Sequence, residues 1–259
     1  MGPVIDVVRH AQSTHNTTGN VWVRDPNLTP EGEKEASRLR RSYPHMERIS
    51  HIVSSPMQRA VRTALIAFEP AVLEGKKVVL LPELQETGVR PSDTGHPPEV
   101  IERTFEPYVD TSLLDRDWCS KVQGSKYLPD MALVEARARE ARVFIRELAQ
   151  KAPDDAHIIV VSHGGFLHFL TEEYSGLSEE YFTTYGNASM RSFQFADLHG
   201  KDPDAKLIET EESCELSGWP CFIDMSDDEK ELLKTYAVAR VNWQMKDFER
   251  MTRPNQPPV

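Results

Sequence analysis

Cysteine is scarce: Cys119, Cys214 and Cys221 are the three in a chain of 259 residues. An odd number without C-x-x-C spacing supports neither a disulfide framework nor a zinc site, so reduced thiols are expected. Positive charge is in deficit. Against 41 acidic residues stand 30 basic ones, a formal net charge of -11, and no basic run or basic-aromatic interleaving offsets it. Nucleic acid and anionic membrane surfaces are therefore not expected partners. Long apolar runs are missing as well. None approaches the length that crosses a bilayer, and the first strand-like run begins at Val4, which leaves no room for a signal peptide; a cytoplasmic protein is expected. There is no GxxxxGK[ST] loop, no HExxH pair and no paired-aspartate cluster. Neither a nucleotide phosphate cradle nor a metal-generated hydroxide is indicated, and no cofactor or metal is expected.

What is present is alternation. Apolar, β-branched runs at Val4–Val8, 51–53, 77–81, 157–161 and 190–195 read as strands. Helical patterns fall between them. One opens at Thr29-Pro30-Glu31, a cap followed by proline and acid, and runs towards Tyr43. Others follow Pro56, span about 130–151, start near Gly164, and close the chain over about 226–251. The pattern predicts a three-layer α/β/α domain over 1–259, with a mostly parallel central sheet. Two stretches break the rhythm. The proline-rich 86–129 segment reads as a cap-like excursion over the sheet, and 197–225 as a loop with an edge strand.

In an open α/β sheet the ligand crevice lies outside the carboxyl ends of the strands, so the residues just after strands meet there. The first exit carries Arg9-His10, the second "SSPMQR" with Arg59, the third "LQET" with Glu86 and the fourth "SHGG" with His163 and Gly164. Each has a bland reading alone: a loop histidine, a solvated arginine, a tight glycine turn. Their coincidence at four separate exits is what favours function. Two guanidinium groups and imidazole donors suit a dianionic tetrahedral group, phosphate rather than carboxylate. Without a metal, phosphoryl transfer needs a protein nucleophile, which a neutral histidine supplies. A carboxyl group of raised pKa then suits protonation of the departing alcohol.

The stretch "VVRHAQSTHN" resembles the R-H-G-x-S/T-x-x-N signature of the histidine phosphatase superfamily, also called phosphoglycerate mutase-like, in its first branch. "DPNLTPEGEKEA", "SSPMQRAVRTA", "VVSHGGFLHFL" and "NASM" agree in the family's order, covering about residues 4–195. The "LQE…DTG" wording also resembles a group of fungal phosphoglycerate mutase-like proteins. The resemblance implies that His10 is the phosphorylated nucleophile and that Arg9, Arg59 and His163 complete the phosphate pocket. Ser13 and Asn16 match positions that contact the phosphoryl group or line its entrance. The family's L-x-E pattern fits Glu83 or Glu86 as the acid, and Glu86 is preferred because it lies past the strand end.

Ala11 stands where the family has glycine, which matters only if the backbone there needs an angle open to glycine alone. The mutases' "E-R-H-Y-G" is replaced by "ETGVRPSDTGHPP". The expected function is thus a metal-independent phosphatase acting on a small phosphorylated metabolite. A phosphoglycerate-type phosphomutase and a non-catalytic phosphate-binding regulatory module are the alternatives. Arg90, His96, Arg103, Tyr108, Arg116, Trp118 and Lys126 in the excursion, with Trp22 and Arg24, are candidates to border the substrate, two or three of them by contact. The closing helix reads as docked on the core rather than as a dimer seam; the oligomeric state is left open.

Overall fold

The computed structural model describes residues 2–253. A seven-stranded sheet forms the middle layer: β1 (Val4–Arg9), β2 (Ile49–Ser54), β3 (Val78–Leu80), β4 (Val109–Asp110), β5 (His157–Ser162), β6 (Met190–Phe195) and β7 (Leu207–Glu209), in the order β4-β3-β2-β5-β1-β6-β7. β1 to β5 pair parallel, while β6 and β7 are antiparallel at one edge. The central strands are apolar on both faces because helices cover both. Val8, Ile52, Leu80, Ile159 and Val161 face one core, and Ile5, Val7, Val53, Ile158 and Val160 the other.

The helices are α1 (Thr14–Thr18), α2 (Pro30–Ser42), α3 (Gln58–Ala67), α4 (Glu69–Leu73), α5 (Pro98–Phe105), α6 (Met131–Ala149), α7 (Gly164–Thr171), α8 (Glu211–Ser217) and α9 (Asp227–Thr252). α2 begins as its sequence dictates. Thr29 Oγ1 accepts from Gly32 N at 3.0 Å, Pro30 fills the first position, and Glu31 and Glu33 lie in the first turn. Gly32 is fixed by space: a Cβ there would stand 2.0 Å from the backbone oxygen of Gln12, in the loop leaving β1. α3 presents Ala60, Ala64 and Ala67 to the core, small residues that let it lie close to the strands. α7 is buried along its whole length. α9 opens with a capping box in which Ser226 and Glu229 each satisfy the other's backbone N–H, and it docks through Ala237, Val241 and Phe248. Among the described residues no helix is long and apolar enough to cross a membrane.

Three expectations are corrected. The 86–129 segment is no loose excursion: it contains α5 and the edge strand β4, and Ile101, Phe105, Val109, Trp118 and Tyr127 join the core beside α3. The apolar pair Ile101 and Phe105, one helical turn apart, is too short a signal to stand out among prolines. The 197–225 segment holds α8 as well as its edge strand β7. Cys214 and Cys221 are joined in a disulfide with Cα atoms 5.5 Å apart, against the expectation of free thiols, while Cys119 is free and buried. The left-handed backbone of Gly218 after α8, φ 75°, turns the chain back and brings the two cysteines together.

Asp6 is the polar exception in β1. It is buried, and its carboxylate accepts from Tyr43 OH at 2.6 Å, Ser192 Oγ at 2.6 Å and His157 Nδ1 at 2.7 Å, tying the end of α2, β6 and β5 to the central strand. Three donors, two of them on the buried residues Tyr43 and His157, lose their acceptor if it is removed. Asp6→Ala is expected to lower unfolding free energy by about 3 kcal/mol in urea titration; a loss below about 1 kcal/mol would contradict this role.

Candidate active site

The site is built by strand register. Arg9 pairs with Ser162, and Ser54 with Val161. The ladder runs one residue further, through His10 N to Ser162 O and Ser55 N to Val161 O, each 2.9 Å. His10, Ser55 and His163 consequently leave their strands side by side. The two imidazole centroids lie 5.1 Å apart, and His163 Nε2 is 2.8 Å from Ser55 Oγ. Arg59 enters from the first turn of α3, whose start is fixed by Asp25 Oδ1 accepting from Gln58 N at 3.0 Å. Its Nε donates to His10 Nε2 at 3.2 Å and its Nη1 to Ser92 O at 2.8 Å. Arg9 Nη1 donates to Tyr185 O at 2.6 Å.

The hydrogen bonds settle the state of His10. Its Nδ1 lies 2.8 Å from the carbonyl oxygen of Ala11, which only accepts, so Nδ1 carries the proton and Nε2 the lone pair. Burial, then Arg59 and Arg9, hold its pKa well below that of an ordinary histidine. His163 is held low by burial, Arg59 and His10. Ser55 Oγ also accepts from Met57 N at 3.4 Å. The other ring nitrogen of His163, Nδ1, is buried and has no partner in the protein. Ala11 costs nothing: its φ is not positive, and its N–H donates to Thr63 Oγ1 at 2.9 Å.

Glu86 is buried against the start of α7, where Oε2 accepts from Gly165 N at 3.2 Å and Oε1 from Thr87 N at 2.9 Å. Both glycines are there for space. A Cβ on Gly165 would meet Glu86 Oε1 at 2.7 Å, and one on Gly164 would meet Thr183 at 2.8 Å. Burial opposes charge on Glu86, but Arg240, the Thr87 N–H, Arg59 and the Gly165 N–H outweigh it and hold the pKa below the usual glutamate value. This departs from the raised value expected of an acid. Glu83 lies elsewhere, paired with Lys126 at 2.7 Å.

Ser13 and Asn16 are occupied with each other and with His15. Ser13 Oγ is 2.6 Å from His15 Nδ1 and donates to Asn16 Oδ1 at 3.2 Å, while Asn16 Nδ2 donates to His15 Nε2 at 3.2 Å. The His15 ring stands 6.1 Å from that of His10, its pKa lowered to about 3 by burial and Arg59. Of the candidate substrate-bordering residues, Trp118 is fully buried, Arg90 pairs with Asp247 at 2.6 Å, Lys126 with Glu83, and Arg24 Nε donates to Gly95 O at 3.0 Å. Trp22 remains exposed.

Sequence reasoning missed His15, Ser55, Asp25, Asp93 and Arg240. Arg59 has acidic company, the half-buried Asp93 Oδ1 at 3.5 Å and the buried Asp25 Oδ1 at 4.0 Å. Burial pushes Asp25 up to about 6 against the pull of Arg59. Ser55 was legible, since it leaves β2 as His10 leaves β1; Arg240 carried no signal in the middle of an amphipathic helix. Among the described residues no group of three or more His, Cys, Asp or Glu side chains is placed to hold a metal ion.

The geometry makes His10 a neutral imidazole at neutral pH, because burial and two guanidinium groups all disfavour its second proton. Imidazole nitrogen resonances of His10 are expected to show the Nδ1–H neutral form unchanged from about pH 8 down to about pH 6, below the usual midpoint near 6.5. Protonation between those limits would contradict the account.

The chain matches the histidine phosphatase superfamily (branch 1) over residues 5–204. A protein of Hydrogenobacter thermophilus named as a candidate phosphoserine phosphatase is 25% identical over 209 residues, spanning 80% of this chain and 95% of that one. Two solved structures share the fold. The ecdysone phosphate phosphatase of Bombix mori, in complex with tungstate, superposes with a TM-score of 0.51 at 17% identity, covering 74% of this chain and 89% of that one. A candidate α-ribazole-5'-phosphate phosphatase of Escherichia coli does so with a TM-score of 0.50 at 17% identity, covering 81% and 95%. With the family's sequence pattern matched from β1 past β6 and the phosphoglycerate mutase-like fold in place, the chain belongs to branch 1 of the histidine phosphatase superfamily.

Proposed function

We propose that this protein is a metal-independent phosphatase that hydrolyses a small phosphomonoester through a phosphohistidine formed on His10 Nε2. One observation carries the reading: a neutral His10 with its lone pair on Nε2 stands among Arg59, Arg9 and the unpartnered Nδ1 of His163, with buried Glu86 past the exit of β3. The name of the Hydrogenobacter thermophilus relative, a phosphatase, supports hydrolysis over mutase transfer. The presence of every reacting group in one pocket speaks against a binding-only module.

In the first step His10 Nε2 attacks phosphorus, the N–P bond forms and the P–O bond to the alcohol breaks. Arg59, Arg9 and His163 stabilise the equatorial oxygens, and the Ala11 carbonyl steadies the positive His10 imidazole through Nδ1–H. Glu86 gives its proton to the departing oxygen. In the second step its carboxylate takes a proton from water as that water attacks phosphorus, and the N–P electrons return to Nε2. Phosphate and alcohol are the products. Glu86 starts ionised because of the surrounding cations. A bound dianion neutralises the field of Arg59 and Arg240 and raises the carboxyl pKa, so that Glu86 takes a proton from solvent before the first step; the proton it gains from water in the second step restores the acid form. Gly164 contributes by lacking a side chain where Thr183 packs, and Ser13 and Asn16 act at one remove by holding His15 at the mouth.

His10→Ala is expected to reduce hydrolysis of an aryl phosphate by a factor on the order of 10³ or more and to abolish trapping of acid-labile phosphate on the protein. Wild-type turnover should persist in chelator; retained activity in the variant, or a requirement for divalent metal, would overturn the mechanism. Glu86→Gln is expected to slow an alkyl phosphate by about 100-fold or more and a nitrophenyl phosphate much less, because only the poor leaving group needs the acid. Glu83→Gln should show no such dependence. The reverse pattern would move the acid to Glu83.

A further inference from the structure

We propose that Arg240, on the closing helix α9, binds a carboxylate carried by the alcohol part of the substrate; this deepens the phosphatase reading and rests on it. The guanidinium carbon of Arg240 is 3.3 Å from the point where a Cβ on Gly165 would stand, and Glu86 Oε1 is 2.7 Å from the same point. Acid and guanidinium therefore lie together over the start of α7. Arg240 is the foremost charge acting on Glu86, whereas Arg59 and Arg9 are those acting on His10. Arg59 is hydrogen-bonded to His10 Nε2, whereas Arg240 lies with Glu86 over Gly165, on the acid's side. In the reaction that side faces the departing oxygen, so what Arg240 touches is the alcohol.

Its donors are available. Nη1 donates to Phe182 O at 3.3 Å, the Phe182 ring lies 5.6 Å from the guanidinium carbon, and among the described residues Arg240 makes no ion pair. A steadied guanidinium with a free edge matches a carboxylate through two parallel hydrogen bonds. One guanidinium balances one negative charge. A second phosphate dianion against this single guanidinium would be left under-neutralised, which is why a carboxylate fits better. Residue 240 also lies beyond the 5–204 stretch matched to the family, so this contact is outside the shared pattern.

The test is competitive inhibition of aryl phosphate hydrolysis by O-phosphoserine and by phosphoethanolamine, which differ by the carboxylate alone. Wild type is expected to bind O-phosphoserine about tenfold more tightly, the scale of a charge-assisted pair at a half-exposed site. Arg240→Ala should bring the ratio of the two inhibition constants close to one. Any change that the variant causes through Glu86 falls on both probes and cancels in the ratio. Arg240→Gln serves if the alanine variant folds poorly, and should flatten the ratio likewise. A flat ratio in an active wild type, or a preference that survives both substitutions, overturns the role of Arg240. Failure of wild type to hydrolyse the aryl phosphate or to form phosphohistidine would instead remove the phosphatase reading, and this inference with it.

Discussion

The parallel register of β1, β5 and β2 is the constraint on which the site depends, because it continues past the strand ends and sets His10, His163 and Ser55 next to one another on fixed backbone. A slip of one residue would turn the imidazoles to opposite faces of the sheet. The register is in turn held by the apolar faces of the three strands and by Asp6, which joins β1 to β5 and β6 through buried hydrogen bonds. Site geometry and core packing are therefore one set of interactions.

Around those imidazoles the protein concentrates positive charge in a buried space. Arg9 and Arg59 converge there, and burial together with the same field that favours a phosphate dianion keeps His10 and His163 unprotonated. Nucleophilicity and anion binding thus share a cause. Arg240, the Thr87 N–H and Arg59 likewise hold the Glu86 pKa below the usual glutamate value against its burial. Asp25 and Asp93 restrain Arg59 from two sides, and Ser92 receives one of its N–H groups, so the guanidinium stays aligned with His10 Nε2.

The 86–129 segment contributes to this in a way its sequence concealed. It adds a strand to the sheet edge, buries Trp118, and delivers Ser92 and Asp93 to Arg59. Three of its residues that looked fit to touch substrate, Arg90, Trp118 and Lys126, are spent on packing or pairing. His15 stands beside His10 instead, and Arg240 reaches Glu86 from far along the chain.

The sequence by itself determined the alternating architecture and the strand exits that carry His10, Arg59, Glu86 and His163, because β-branched runs, caps and glycine turns are local signals with local causes. Its order of motifs was enough for the family. Tertiary structure alone decided which nitrogen of His10 holds the lone pair, since that follows from the Ala11 carbonyl, and which glutamate reaches the helix start, since Glu83 and Glu86 are indistinguishable until α7 is packed against one of them. It likewise decided the Cys214–Cys221 bridge and the arrival of Arg240, because both depend on how distant or turning segments fold back, and no local pattern encodes where a returning chain will lie.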